Sequence, residues 1–142
     1  MIVLDTDHLT VLFFEKHSQR ESLSNRLLAS DDREIATSVI SLEEQMRGWL
    51  SAIKKQPYAA DQVPLYPRLM QLVEFYSQWD VLPFDSRSAD TYLGLRKQKV
   101  RVGTADLKIA SIALVNNALL LTANLVDFQK IPGLRVEDWL YG

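Results

Sequence analysis

Short apolar runs alternate with amphipathic stretches along this chain. Ile2 to Leu4 form an apolar run that stops abruptly at Asp5, and a buried strand accounts for it. Leu9 to Lys16 is apolar-rich and predicts a helix. Ser22 to Ala29 places Leu23, Leu27 and Leu28 at intervals that predict a second. After a polar turn at Ser30 to Glu34, "EIATSVI" predicts a strand carrying Ile35, Val39 and Ile40. In "SLEEQMRGWLSAIKK", Ser41 and Glu44 have capping-box spacing, and Leu42, Met46, Trp49, Leu50 and Ile53 recur at helical intervals.

Pro57, Pro64 and Pro67 then punctuate the chain. Beyond them Leu69, Leu72, Val73, Tyr76 and Trp79 fall on one helical stripe. "DVLPF" (80–84) predicts a short strand, and Ser86 or Ser88 can cap a helix running to Lys99. Thr104 can cap another, with Leu107, Ala110, Ser111 and Leu114 along one face. "ALLLT" (118–122) and "GLRVEDW" (133–139) predict the last strands. Strands alternate with helices throughout, and the strands are short and apolar on both faces. That pattern predicts an α/β fold with a mainly parallel, roughly five-stranded sheet covered on both sides.

Composition narrows the setting. The 142 residues contain no linker, repeat or low-complexity segment, which predicts a single domain over 1–142. There is no cysteine, so disulfides and thiolate metal sites are excluded. No apolar run approaches the roughly 20 residues of a membrane span, and the N-terminus lacks the basic region of a signal peptide. A soluble cytoplasmic protein is expected. A net charge of −2 argues against wrapping duplex DNA by bulk electrostatics. It leaves room for an enzyme that grips a few phosphates through a metal ion.

The acids are informative by position. Asp5 and Asp7 follow the first predicted strand, Glu44 follows the second, Asp106 lies in a first helical turn, and Asn124 and Asp127 follow "ALLLT". In an open parallel sheet, residues just beyond the strands' carboxyl ends converge on the ligand crevice. Clustered carboxylates repel one another unless a cation is present. With no thiol and no imidazole partner, that set points to a hard divalent cation such as Mg²⁺ or Mn²⁺, and so to metal-assisted phosphodiester or phosphate hydrolysis. Each acid also has a purely structural explanation. Glu44 can complete the cap with Ser41, Asp106 can complement the helix dipole, Asp7 can cap the helix that follows it, and Asp127 can serve a turn. His8 and His17 lack ligand spacing and suit local hydrogen bonding. Lys54, Lys55 and the run Arg96–Arg101 read as solvated helix ends. The second cluster also lies close enough to Asp106 to hold an RNA backbone.

Taken in order, "MIVLDTDHL", "SVISLEEQMRG", "GTADLKIASIAL", "LLLTANLVDF" and "IPGLRVEDW" resemble the PIN-domain ribonucleases, above all the VapC-type toxins of bacterial toxin–antitoxin pairs. The resemblance spans nearly the whole chain. It implies a three-layer α/β/α sandwich and a Mg²⁺-dependent endoribonuclease leaving a 5′-phosphate and a 3′-hydroxyl. It matches Asp5, followed by the small polar Thr6, to the family's first acid. It matches Glu44, in the frame of Ser41 and Gly48, to the second, and Asp106 to the third. The fourth falls in the stretch from Thr122, where Asn124 stands in a place often held by aspartate and Asp127 supplies a nearby carboxylate. Asp5 and Asp106 are thereby implied as direct metal ligands and Glu44 as a ligand through water or a base, with Asn124 and Asp127 shaping the outer shell. Asp7 matches no family-wide acid. The implied partners are RNA, a small antitoxin offering a basic side chain to the cleft, and a second copy in a homodimer. The helical stripes at 46–53 and 69–79 are candidate contact faces for the last two. Two other readings stand beside this one. "DTDHLT" resembles the motif of haloacid-dehalogenase-type phosphatases, with Asp5 as nucleophile, and the fold could serve as a non-catalytic PIN-like binding module.

Overall fold

The computed structural model describes residues 1–141. Five strands form one sheet: β1 (Ile2–Leu4), β2 (Ile35–Ser38), β3 (Asp80–Leu82), β4 (Leu119–Leu121) and β5 (Arg135–Glu137). Every pairing is parallel, in the order β3-β2-β1-β4-β5. Parallel neighbours require crossovers, and the helices supply them. These are α1 (Thr6–Phe13), α2 (Arg20–Ala29), α3 (Val39–Lys55), α4 (Ala59–Gln62), α5 (Tyr66–Ser77), α6 (Ser86–Lys97), α7 (Thr104–Val115) and α8 (Leu125–Phe128).

Strand alternation divides the core into two layers. Val3, Ala36 and Leu120 face a cluster with Leu95, Leu107, Ile109 and Ile112 of α6 and α7. Ile2, Leu4 and Leu121 face the other way, against Leu9, Leu23, Leu72 and Tyr76 of α1, α2 and α5. The result is the expected three-layer α/β/α sandwich. The chain runs outward from β1 to β3, then returns across the opposite face to β4. Adjacent β1 and β4 therefore bound a topological switch point, where a crevice opens beyond the carboxyl ends of a parallel sheet. Among the described residues, no helix is long and apolar enough to cross a membrane.

Several boundaries differ from the expectation, each for a local reason. The second strand ends at Ser38, because the Ser38 hydroxyl accepts from Ser41 N at 3.2 Å and starts α3 at once. Val39 and Ile40 are therefore helical, and Ser41 is not the cap. Helix α1 starts at Thr6, ahead of the predicted Leu9, because the Asp5 carboxylate caps it. Asp85, accepting from Ser88 N at 2.9 Å, caps α6 in place of either serine. Gly103 occupies the cap position of α7, with Thr104 its first helical residue. Of the predicted stripe on α5, Leu72 and Tyr76 are buried, whereas Val73 is 55% exposed. The one-turn helices α4 and α8 are too short to show a period.

Candidate active site

Asp5 lies where β1 gives way to α1. Its backbone N–H donates to Leu121 O at 2.9 Å, which carries the ladder to β4 one residue past the strand. Its side chain is 6% exposed. One carboxylate oxygen accepts from Thr6 N at 2.7 Å, and the other accepts from the Thr122 hydroxyl at 2.8 Å. Two neutral donors do not offset the loss of water. Burial, followed by the charge of Asp7, pushes the Asp5 carboxyl up to about 7.

Glu44 comes from the second turn of α3, and its Oε2 accepts from the Thr6 hydroxyl at 2.9 Å. It makes no bond to Ser41, so the capping-box explanation of this glutamate is overturned. Ser41 is buried, with its N–H on Ser38. Asp106, in the first turn of α7, accepts from Asn124 Nδ2 at 3.3 Å. Glu44 and Asp106 are half-buried, and desolvation raises both above the ordinary carboxylate range; each also feels other acids, Glu44 that of Asp106, and Asp106 those of Asp127 and Asp7. Residues from β1, α3 and α7 thus meet at the switch point.

The fourth contribution comes from the turn after β4. Thr122 is fully buried. Besides donating to Asp5, its hydroxyl accepts from Asn124 N at 3.0 Å. The Asn124 amide donates to Asp106 and, at 3.1 Å, to Asp127. Asp127 also receives Lys130 Nζ at 3.2 Å. Those two donors, Asn124 first, hold its carboxyl below the usual range.

Asp7 is where the sequence reading fails. It was expected to cap α1; instead it sits inside the first turn and reaches across to the β4 side. Its carboxylate accepts from Ala123 N at 2.9 Å and pairs with His8 Nδ1 at 2.6 Å. His8 is fully buried, and its Nε2 accepts from Trp139 N at 3.2 Å. That acceptor role places the ring proton on Nδ1, so the imidazole donates to Asp7. The sequence offered one signal for burial, since His8 shares a helical face with Val11. The partners at 123 and 139 left no local trace. His17 has the local role expected of it, accepting from Gln19 N at 3.1 Å.

The donors are all oxygen, which suits a hard divalent cation better than zinc or copper. Among the described residues no Lys or Arg forms an ion pair with Asp5, Glu44 or Asp106. Nor does any group of three or more acidic or histidine side chains stand close enough to hold an ion on protein ligands alone. The set therefore fits an ion carried on one or two carboxylates with water completing its shell, as Mg²⁺ prefers.

The family model described as PIN domain matches residues 2–134. Ribonuclease VapC2 of Rickettsia felis is 29% identical over 137 residues, covering 96% of each chain. A tRNA(fMet)-specific endonuclease VapC from Salmonella typhimurium is 34% identical over 87 residues, covering 58% of this chain and 66% of its own. The crystal structure of VapBC2 from Rickettsia felis, bound to a DNA fragment from their promoter, superposes with a TM-score of 0.72 at 29% identity. It covers 98% of this chain and 99% of that one.

Proposed function

Since the chain belongs to the PIN domain family, and its relatives include VapC ribonucleases, we propose that residues 1–142 form one such domain, a metal-dependent endoribonuclease and the toxin of a toxin–antitoxin pair. The observation that supports this most is the meeting of Asp5, Glu44 and Asp106 at the β1/β4 switch point, with raised carboxyl pKa values and, among the described residues, no ion pair to a Lys or Arg. That arrangement costs stability unless something positive binds there.

In this reading Asp5 and Asp106 hold Mg²⁺, for which Mn²⁺ can substitute, and Glu44 holds it through water. The bound ion would polarise the scissile phosphate and lower the pKa of a water molecule. Thr6 fixes Glu44 through Oε2, which leaves Oε1 to orient the attacking water and take its proton. Thr122 locks Asp5 while orienting the Asn124 backbone, so one hydroxyl ties two parts of the site together. Asn124 spaces Asp106 from Asp127. The neutral amide suits an outer-shell role better than a further carboxylate would.

The partner in this reading is a small antitoxin protein, the counterpart that likeness to the VapC ribonucleases and to the VapBC2 complex supports. A groove of about 640 Å³ along α3, lined by Val39, Leu42, Met46 and Leu50, is a docking face for it or for a second copy in a homodimer. The working compartment is the cytoplasm, where RNA is available. The test is cleavage of bulk and single-stranded RNA with Mg²⁺ by the purified protein and its Asp5→Asn variant. Folding of both is checked by thermal melting. Undiminished cleavage by the variant sinks the assignment. Aryl-phosphate hydrolysis without RNA cleavage restores the phosphatase reading, and metal binding without either activity restores the binding module.

A further inference from the structure

A polar network leads from the second core layer to the acidic site. Tyr76 of α5 is 4% exposed and belongs to the apolar cluster with Leu4, Leu9 and Leu72. Its hydroxyl donates to Gln45 Oε1 of α3. Gln45 Nε2 donates to the Thr10 hydroxyl at 3.4 Å, and that hydroxyl donates to Thr6 O at 2.8 Å. The direction of each bond is fixed from the α1 end. Thr6 O can only accept, so the Thr10 hydroxyl donates to it and takes an N–H from Gln45 on a lone pair. The amide oxygen then faces Tyr76, and the phenol donates. Burial, then the charges of Glu44 and Asp5, push the Tyr76 phenol above its ordinary range, so it stays a donor at neutral pH.

Two features separate this network from a buried hydroxyl that has merely found a partner. The first is where it fastens the helices. Gln45 follows Glu44 on α3, and Thr10 lies one turn after Thr6 on α1. Glu44 meets Thr6 and Gln45 meets Thr10, so α3 is tied to α1 at two points a turn apart. A single hydrogen bond leaves two helices free to turn about it, whereas two such bonds set both their slide and their rotation. The second feature is where the path ends. Thr6 serves both acids, with its N–H on Asp5 at 2.7 Å and its hydroxyl on Glu44 at 2.9 Å.

We propose that Tyr76 and Gln45 are positioning residues of this site: through Thr10 they hold α1 and α3 at the setting in which Thr6 serves Asp5 and Glu44 together. Tyr76 fixes the Gln45 amide, the amide fixes Thr10, and Glu44 keeps one place relative to Asp5. The proposal rests on the ribonuclease reading and adds two residues to it, neither of them an acid. Outer partners that hold a metal ligand typically change affinity or activity by about 10- to 100-fold. Gln45 and Tyr76 act at one remove, through Thr10 and Thr6, so their effects belong at or below the low end of that range.

The test uses the full chain. Cleavage of a short fluorescent RNA in Mg²⁺ gives kcat and KM. Titration with Mn²⁺ alone, read by the electron paramagnetic resonance of the free ion, gives metal affinity without RNA. Gln45→Leu should lower kcat about tenfold with KM within about twofold, and weaken Mn²⁺ binding about threefold or more. Tyr76→Phe, which keeps the ring in the core, should show the same pattern with kcat down about threefold. Thr10→Val should match Gln45→Leu, and Thr10→Ser, which keeps the hydroxyl, should recover most of the loss. On a Glu44→Gln background, Gln45→Leu should cost no further Mn²⁺ affinity. Thermal melting shows that each variant is folded at the assay temperature, and if Gln45→Leu is not, Tyr76→Phe and the Thr10 pair decide. A lower melting temperature with kcat and Mn²⁺ affinity unchanged marks a core hydrogen bond only and overturns the proposal. So does an equal loss on the Glu44→Gln background, or a Thr10→Ser variant as impaired as Thr10→Val. If the wild type binds Mn²⁺ but cleaves no RNA, the ribonuclease reading fails by itself. Mn²⁺ affinity then still decides the positioning role: weaker binding in Gln45→Leu supports it, and unchanged binding overturns it. A wild type that binds no Mn²⁺ overturns both.

Discussion

Two neighbouring junctions of the sheet treat a carboxylate in opposite ways. At the β1–α1 junction Asp5 is buried, bound only by neutral donors, and pushed up to about 7. In α8, just after β4, Asp127 is partly exposed, bound by an amide and an ammonium, and held below the usual range. The acids are chemically alike and lie on the same side of the sheet. The difference is burial first, which raises Asp5 and spares Asp127, and then the donors: Asp127 has the Asn124 amide and a cation of its own in Lys130, and Asp5 has no cation. A buried carboxylate without a counter-charge is costly to keep ionised, and it becomes stable when a cation arrives from outside. The contrast separates a position suited to binding a metal from one suited to arranging its surroundings.

The sharpest way to break this contrast is to make the two sites neutral in turn. Asp5→Asn keeps one oxygen as the acceptor for Thr6 N and places an amide N–H against Thr122, whose hydroxyl can accept from it and donate to Asp7 instead, so the fold should survive. RNA cleavage in Mg²⁺ should fall by about 10³-fold or more, the scale on which a lost ion-stabilised transition state is felt. In EDTA at neutral pH the variant should melt no lower than the wild type, since removing an unpaired buried charge relieves the folded state. A variant that melts well below the wild type would show that Asp5 is a structural cap before anything else.

The pH dependence of stability follows from the same carboxyl. In the unfolded chain Asp5 loses its proton near the ordinary value of 3.8, and in the folded protein near 7. Between those values the native state binds more proton than the unfolded chain, so metal-free stability falls as pH rises through that window. The loss is complete above about pH 7 and amounts to something on the order of 4 kcal/mol if the burial is unrelieved. Glu44 and Asp106, also raised, push in the same direction. Melting in EDTA from pH 4 to 8 should show the decline in the wild type and a flatter profile in Asp5→Asn. Mg²⁺ should raise the melting temperature more at pH 7.5 than at pH 5, because protonated carboxyls bind it poorly. Equal stabilisation at both pH values would argue against these carboxyls as the ligands.

A smaller effect is expected from Asp7, which is wired across the crevice to Ala123 and inward to His8. Asp7→Ala leaves the buried His8 Nδ1–H and the Ala123 N–H without an acceptor. Loss of such bonds costs about 1–3 kcal/mol. Denaturant unfolding should show it, along with a partial loss of cleavage, because the Thr122–Asn124 turn loses an anchor. Neutral stability with normal cleavage would mean that Thr122 alone holds that turn.

How much of this was legible follows from what sets each feature. Asp5, Glu44, Asp106 and Asn124 stand just past strands or early in helices, and a parallel sheet carries such positions to one edge, so their meeting could be read from apolar runs and acid placement. The roles around them could not. Which hydroxyl or carboxylate caps a helix depends on where the backbone leaves the strand, and that differed by three residues between Ser41 and Ser38. Asp7 bonds to a residue 116 positions away, and His8 to one 131 away. Bonds of that span follow from strand order, which apolar periodicity does not encode.

Asp127 should matter least, and its variant tests the comparison from the other side. Asp127→Ala removes an exposed ion pair with Lys130, whose worth at the surface is about 1 kcal/mol or less. It also removes one of the two acceptors of the Asn124 amide and one of the negative charges that raise Asp106. Asn124 keeps its bond to Asp106, so the turn should hold its shape and the protein should melt within a few degrees of the wild type. Asp106 should then ionise more readily, and the acid limb of the cleavage profile should move to lower pH. Cleavage at neutral pH should fall by about threefold or less. A loss comparable to that of Asp5→Asn would place Asp127 on the metal itself. Burial and the absence of a protein cation would then no longer distinguish ligand from support.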